Sequence, residues 1–153
     1  DVLVVHEVGD LRHVCAGEFA ALRYIESEIA GMVTDGLVCD VVALERLGFP
    51  VFSRGISTAV VRPLGAGRPP EGAVNVPLKV GGVLVSPGDM ILADDDGGMV
   101  ATPQQAREHL AFCREMTDWE TYARAEMASG RLLSDIAKER ESFRKRFYEK
   151  AGA

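Results

Sequence analysis

The first 53 residues alternate between strand-like and helical segments, and this alternation limits the possible folds more than any other feature of the chain. Residues 2–5, 31–34 and 50–53 are short runs of strand length, whereas residues 17–29 place apolar side chains three or four positions apart, as a helix does. Residues 41–47 predict a second, shorter helix. Strands alternating with helices favour parallel pairing through crossover connections, so the sequence predicts an α/β fold.

After residue 54 the sequence loses the regular spacing of apolar residues. Proline and glycine recur between residues 63 and 72 and predict a loop. The alternation of Val74, Val76 and Leu78 then predicts a strand. Turn residues separate three further short strands, which are expected at 83–85, 90–93 and 99–101.

The last third of the chain is expected to be helical. Thr102 followed by Pro103 is typical of a helix start, and a final helix is expected from about Ser134. We therefore divide the chain into an α/β core, residues 1–102, and C-terminal helices, residues 103–153, which are expected to pack on the core and on a neighbouring subunit. No internal repeat is visible in the sequence.

Length, composition and cysteine content favour a globular protein of the cytoplasm. The chain has 153 residues, 47% of them hydrophobic and 26% charged, and no apolar run approaches the roughly 18 residues that cross a bilayer. The first strand-like run, residues 2–5, has no basic flank or small-residue cleavage site that would make it a signal peptide. Three cysteines without a CxxC pair argue against a disulfide framework or a cysteine-rich zinc site.

Charge is unevenly distributed between the two parts of the chain. Residues 1–102 carry 14 acidic and 7 basic residues, whereas residues 103–153 carry 9 and 10. An acidic core repels phosphate backbones and tolerates divalent cations, which argues against direct nucleic-acid binding. The basic run at residues 144–146 is most simply a solvated helix face.

Two acidic residues stand at the predicted starts of consecutive helices. Glu18 opens the first helix and Asp40 opens the second, so parallel units can bring both carboxylates to one edge of the sheet. A hard cation such as Mg²⁺ binds one or two carboxylates together with waters. The alternative is that both acids merely favour helix N-termini through the dipole.

The order of motifs resembles the regulator of ribonuclease activity A-like (RraA-like) family, which includes class II pyruvate aldolases acting on 4-hydroxy-4-methyl-2-oxoglutarate and 4-carboxy-4-hydroxy-2-oxoadipate. The resemblance spans nearly all of residues 1–102, without the helical segment that usually precedes the first strand. It rests on five motifs: the first strand at 1–5, Gly17-Glu18, the run at 35–40, the run at 48–55, and the glycine-rich and acidic turns between 81 and 97.

The resemblance implies a swivelling β/β/α fold, assembled as a trimer or hexamer with active sites between subunits. It implies that Asp40 holds Mg²⁺ or Mn²⁺ and that Glu18 orients the water that shuttles the proton. Gly17, Cys39 and Arg54 are assigned to substrate binding by position. A carboxylate from the C-terminal helix of a neighbouring subunit completes the water shell, and Glu115 is the best-spaced candidate.

Cys39 departs from the aldolase pattern, which has arginine at this position to clamp the keto-acid carboxylate. A thiol cannot replace a planar cation with five donors. Three explanations stay open: Arg12 or Arg54 reaches the carboxylate instead, the substrate differs, or the site is catalytically idle. The ribonuclease-regulator branch differs in the opposite sense, because it lacks the aspartate and keeps the arginine.

The predicted function is that of a metal-dependent lyase, which cleaves or decarboxylates a small 2-oxo acid through a pyruvate enolate. The alternative is a non-catalytic regulator that binds another protein. Other candidate residues have simpler explanations. The acidic run at 94–97 is explained as a turn between two strands, and the three histidines, His6, His13 and His109, lack metal-ligand spacing. Arg54 can pair with Asp35 or Asp40. Trp119 and Tyr122 are expected at a subunit contact.

Overall fold

The computed structural model describes residues 1–7, 11–60 and 72–151 of the chain. These residues form two compact units, Asp1–Thr102 and Pro103–Ala153, which are described separately below. The loop predicted between 63 and 72 lies almost entirely outside the described residues. Within the described ranges, no helix combines the length and apolarity needed to cross a membrane.

The first unit repeats a strand–strand–helix pattern. The first strand of each repeat joins one three-stranded parallel sheet, in the order β1-β3-β5, and the second strand joins another, in the order β2-β4-β6. The elements are β1 (Val2–Val5), β2 (Val14–Ala16), α1 (Glu18–Glu26), β3 (Gly31–Thr34), β4 (Leu37–Val38), α2 (Val41–Leu47), β5 (Val51–Phe52) and β6 (Gly55–Ile56).

This architecture confirms the predicted α/β class and adds a second sheet that the sequence did not reveal. Strands β4 and β6 have two residues each and β2 has three, so none is long enough to show a period of two. The repeat is also invisible in the sequence, because the repeated units share their backbone geometry and not their residue types. In each repeat the helix begins shortly after the strand of the second sheet: α1 follows β2, and α2 follows β4.

Small and medium-sized apolar side chains fill the core of this unit. The buried residues come from β2, both helices, β3, β4 and the segment before β5, and they include Met32 at 2% exposure. Phe49 packs on Tyr24 with ring centroids 6.2 Å apart. The core therefore ties α1 and α2 to the strands on which both helix starts depend.

Two antiparallel hairpins complete the unit: β7 (Leu78–Val80) with β8 (Val83–Val85), and β9 (Met90–Asp94) with β10 (Gly97–Ala101). Gly81 and Gly82 form the two-residue turn of the first hairpin, both with positive φ, as this tight connection requires. The strand predicted from the alternation of Val74, Val76 and Leu78 begins only at Leu78, after Pro77 has removed a backbone donor.

The second unit is helical, as predicted, and consists of α3 (Pro103–Ala128), α4 (Leu133–Ile136), a 3₁₀ turn (Ala137–Glu139) and α5 (Arg140–Ala151). Glu115 of α3 is fully buried, and Arg140 of α5 donates hydrogen bonds to both of its carboxylate oxygens. This ion pair lowers the pKa of Glu115, chiefly through the hydrogen bonds from Arg140.

Aromatic side chains pack around the ion pair. Trp119 and Tyr122 lie 5.3 and 5.4 Å from the ring of Phe143 in α5, and the Arg140 guanidinium stands 5.1 Å from the Trp119 ring centroid. The two aromatic residues assigned to a subunit contact by sequence thus have partners within their own unit. A buried ion pair with its aromatic cover joins α3 to α5.

Replacing Arg140 by methionine is expected to lower the midpoint of thermal unfolding by about 5 °C or more at pH 7, because Glu115 stays buried without its partner. The folded-state pKa of Glu115 is lowered by the pair. The contribution of the pair to the free energy of unfolding is therefore complete above the ordinary glutamate pKa, and it disappears as the pH falls through the lowered pKa. The difference from wild type should therefore shrink at about pH 3. Arg124→Met, which removes an exposed pair, is the control. Calorimetry that shows equal effects of both variants would contradict this account.

Candidate functional site

Asp40 links the starts of the two helices of the first unit. Its backbone is left-handed, with φ 59° and ψ 35°, and its carbonyl oxygen accepts the first hydrogen bonds of α2. Its exposed side chain points back to α1, where Oδ2 accepts a hydrogen bond of 3.0 Å from the backbone N–H of Glu18. The Asp40 carboxylate at the start of α2 thus accepts a hydrogen bond from a backbone N–H at the start of α1, where the first N–H groups have no partner within the helix.

Gly17 gives the carboxylate the space that it occupies. A Cβ atom on Gly17 would lie 2.5 Å from Oδ2 of Asp40 and 2.6 Å from Sγ of Cys39. Both side chains therefore converge on the bare face of this glycine. The backbone N–H of Cys39 donates to the carbonyl of Ala16 at 3.1 Å, which holds the two segments at this spacing.

Cys39 is a half-buried thiol beside a carboxylate. Burial raises the pKa of this thiol, and so do the hydrogen bond that it donates to Asp40 and the charge repulsion by that carboxylate. The thiol is therefore protonated at neutral pH and is a poor nucleophile. It also leaves this position without positive charge.

The donor set at this site fits only a well-hydrated hard ion. Among the residues that the structure describes, no three His, Cys, Asp or Glu side chains are placed to share a metal ion. A zinc site with three protein ligands therefore does not fit here. One exposed aspartate in combination with waters is a donor set that Mg²⁺ accepts.

The structure brings together four of the six residues that the sequence assigns to the site: Gly17, Glu18, Cys39 and Asp40. Glu18 is the first residue of α1 and is half-buried. Glu115 belongs to the other unit, where Arg140 binds both of its oxygens, and its role in a neighbouring subunit stays a prediction.

Arg54 follows β5 and is exposed. Its backbone N–H donates to the carbonyl of Gly36 at 3.1 Å. Neither Asp35 nor Asp40 forms an ion pair with it, although the sequence left both pairings open; Asp35 binds His6 instead, at 2.6 Å. Its assignment to the substrate of the Asp40 site stays a prediction.

A cavity of the first unit lies elsewhere, and it was not predicted from the sequence. It has a volume of about 650 Å³, and its lining contains Asp35, Ser53 and Arg54 but none of the four residues around Gly17. Burial raises the pKa of Asp35, but hydrogen bonds from the Glu7 N–H and from His6 outweigh this effect and lower it. Two sequence signals lie in this region: the polar pair Asp35-Gly36 after one strand, and Arg54 after another.

Comparison with known proteins reveals relatives of two kinds. The chain is 39% identical to a protein of Halalkalibacterium halodurans named "Putative 4-hydroxy-4-methyl-2-oxoglutarate aldolase", over 63% of this chain and 44% of that protein. Among solved structures, it resembles RraAS2 of Streptomyces coelicolor, described as an unusual member of the RNase ES inhibitor RraA protein family. That likeness has a TM-score of 0.69 and 31% identity over 82% of this chain and 62% of that one.

An uncharacterized protein from Pseudomonas syringae pv. tomato is also similar, with a TM-score of 0.77 and 26% identity over 89% of this chain and 66% of that one. The chain thus spans less than half of the length of its Halalkalibacterium relative and about two thirds of these solved structures. Residues 1–100 match the family described as RraA-like, Aldolase/RraA. The strand and helix order, the structural neighbours and this match together establish that the chain belongs to the RraA-like family.

Proposed function

We propose that this chain is a divalent-metal-dependent lyase, of the aldolase or oxaloacetate decarboxylase type, that acts on a small 2-oxo acid. The observation that carries the proposal is the exposed Asp40 carboxylate, held at the junction of two helix starts by the Glu18 N–H. A relative named as an aldolase supports the reaction class.

Asp40 would hold Mg²⁺ or Mn²⁺ in combination with waters. Its Oδ2 atom is fixed by a backbone donor, so the carboxylate has a defined direction before any ion arrives. When bound, such an ion acts as a Lewis acid and takes up negative charge that develops on a substrate oxygen. Cleavage of the bond between the carbons α and β to the keto group of the 2-oxo acid leaves its electron pair on the α carbon as an enolate, which needs this stabilisation.

Glu18 would transfer the proton. Its backbone N–H donates a hydrogen bond to Asp40 Oδ2, so Glu18 lies beside the residue that would hold the ion. A carboxylate near the ion could orient a water molecule and pass a proton through it. Gly17 has no side chain that would displace the Asp40 carboxylate.

The clamp for the substrate carboxylate is the part of the site that differs from the aldolase pattern. A protonated Cys39 carries no charge, so it can pack against a substrate but cannot neutralise it. Arg12 is exposed and precedes β2, and in its place we propose Arg12 as the cation that binds the substrate carboxylate. Loss of an electrostatic donor of this kind commonly costs about 100-fold or more in rate, so slow turnover is expected.

The proposal includes a homotrimer or homohexamer with the site at a subunit boundary. Apolar side chains next to the site are exposed, including Phe19 at 80% and Val42 at 59%. Side chains of this size on two adjoining helices favour contact with another protein surface. Glu115 is left out of the proposal, because Arg140 already binds its carboxylate.

A non-catalytic regulator that binds another protein is the second candidate. The similarity to RraAS2, described as an unusual member of an RNase inhibitor family, favours it. Both candidates can use the same exposed helix faces, so only a chemical assay separates them.

The assay is exchange of pyruvate methyl protons with deuterated solvent, followed by proton NMR after Mg²⁺ or Mn²⁺ is added. Wild type should catalyse exchange, and Asp40→Asn should reduce it by about 100-fold, because the amide binds a hard cation poorly. Asp95→Asn, which changes an exposed carboxylate in the β9–β10 turn, should leave exchange unchanged. Absence of exchange by wild type at every metal concentration would favour the regulator.

Gly17→Ala tests the role of the open glycine face. The added methyl group overlaps Asp40 Oδ2 and Cys39 Sγ, so both side chains must shift and the hydrogen bond from the Glu18 N–H to Asp40 should be lost. We expect a loss of about 1 kcal/mol in the free energy of unfolding, the size of one hydrogen bond, together with loss of exchange. Gly72→Ala, where a Cβ meets nothing within 4 Å, is the matched control. Unchanged stability and exchange in Gly17→Ala would refute the packing argument.

Cys39→Arg tests whether the missing cation limits the reaction. If the site keeps the remaining groups in place, a guanidinium here should raise the exchange rate by about 10-fold or more. Cys113→Arg, at an exposed position of α3, controls for the added charge. An equal rate in Cys39→Arg and wild type would point to another substrate or to a collapsed pocket.

A further inference from the structure

The 650 Å³ cavity of the first unit has the size and composition of a small-molecule site. Its lining comes from β1, β3 and β5 and from both hairpins, so two structural layers enclose it. Most of its walls are apolar, and they include Val4, Val33, Phe52, Ile91 and Val100. An apolar ligand body would be favoured there by the water it displaces.

The two charged residues of the cavity, Asp35 and Arg54, differ in their partners. Asp35 is its carboxylate, and both oxygens are engaged: Oδ1 accepts from the Glu7 N–H at 2.9 Å and Oδ2 lies 2.6 Å from Nδ1 of His6. Ser53 donates its hydroxyl hydrogen to the carbonyl of Gly55. Arg54 differs, since none of the carboxylates that the structure describes forms a salt bridge with its guanidinium.

We propose that this cavity binds an organic monocarboxylate with an apolar body, with the carboxylate on Arg54 and the body against the valine, phenylalanine and isoleucine side chains. A guanidinium presents two parallel donors that match one carboxylate. One cation with apolar walls suits a single negative charge better than the two charges of a phosphate monoester. A cationic ligand is disfavoured, because the oxygens of Asp35 already have partners.

Glycine turns keep the cavity accessible. A Cβ on Gly81, Gly82 or Gly97 would meet no atom within 4 Å, and all three residues line the cavity. Their positive φ values also disfavour residues with side chains. The hairpin ends therefore place no side-chain atoms of these three residues at the edge of the cavity.

The test is a titration with hexanoate in the absence of metal, followed by the methyl NMR signals of Val33 and Ile91. Hexanoate should shift both signals saturably, and Arg54→Gln should weaken binding about 5- to 10-fold. Arg46→Gln, at an exposed position of α2 outside the cavity, should bind as wild type does. Acetate, which lacks the body, and 1-hexanol, which lacks the charge, should both bind more weakly than hexanoate.

Three results would overturn the inference: no saturable shift with hexanoate, equal affinity in wild type and Arg54→Gln, or equal affinity for hexanoate and 1-hexanol. The same titration of Asp40→Asn separates this cavity from the proposed lyase site. Hexanoate binding should survive that substitution, because Asp40 does not line the cavity. Loss of hexanoate binding in Asp40→Asn would also overturn the inference and would place the ligand at the other site.

Discussion

The hydrogen bond from the Glu18 N–H to the Asp40 carboxylate is the interaction on which the site depends. It crosses from one strand–strand–helix repeat to the next and fixes the start of α1 against the start of α2. Three local conditions permit it: the absence of a side chain at Gly17, the left-handed backbone of Asp40, and the hydrogen bond from the Cys39 N–H to the Ala16 carbonyl. The carboxylate therefore has a structural function in addition to any chemistry it performs.

The two parallel sheets explain why these groups meet. Each helix follows a very short strand of the second sheet, so little chain separates the strand end from the helix start. Parallel pairing of β2 with β4 places Ala16 beside Val38, and the next residues, Gly17 and Cys39, then lie side by side. Adjacent strands thus determine the distance between the functional residues, and loop conformation contributes little.

Much of this arrangement could be predicted from the sequence. The α/β class, both helices of the first unit and the helical C-terminal part follow from periodicity and from helix-start residues, and the order of motifs indicated the family. Strands β2, β4 and β6 could not be found, because two or three residues carry no measurable period. The partner of Glu115 was also beyond prediction: Arg140 lies 25 residues away, and only the fold of α3 against α5 brings them together. Arg54 was predicted at a strand end correctly, but its cavity depends on hairpins whose position is a tertiary property.

The left-handed backbone at position 40 restricts which acids can replace one another there. Aspartate and asparagine tolerate this conformation several times more readily than most residues with side chains do. Glutamate would keep the charge, but its oxygens would lie one methylene further from the backbone of position 40, and it would fit the left-handed conformation less well. Backbone geometry alone therefore favours short polar residues and glycine at this position. An aspartate here in a distant homologue would consequently be weak proof of shared catalysis, whereas a matching pair at positions 18 and 40 would be stronger.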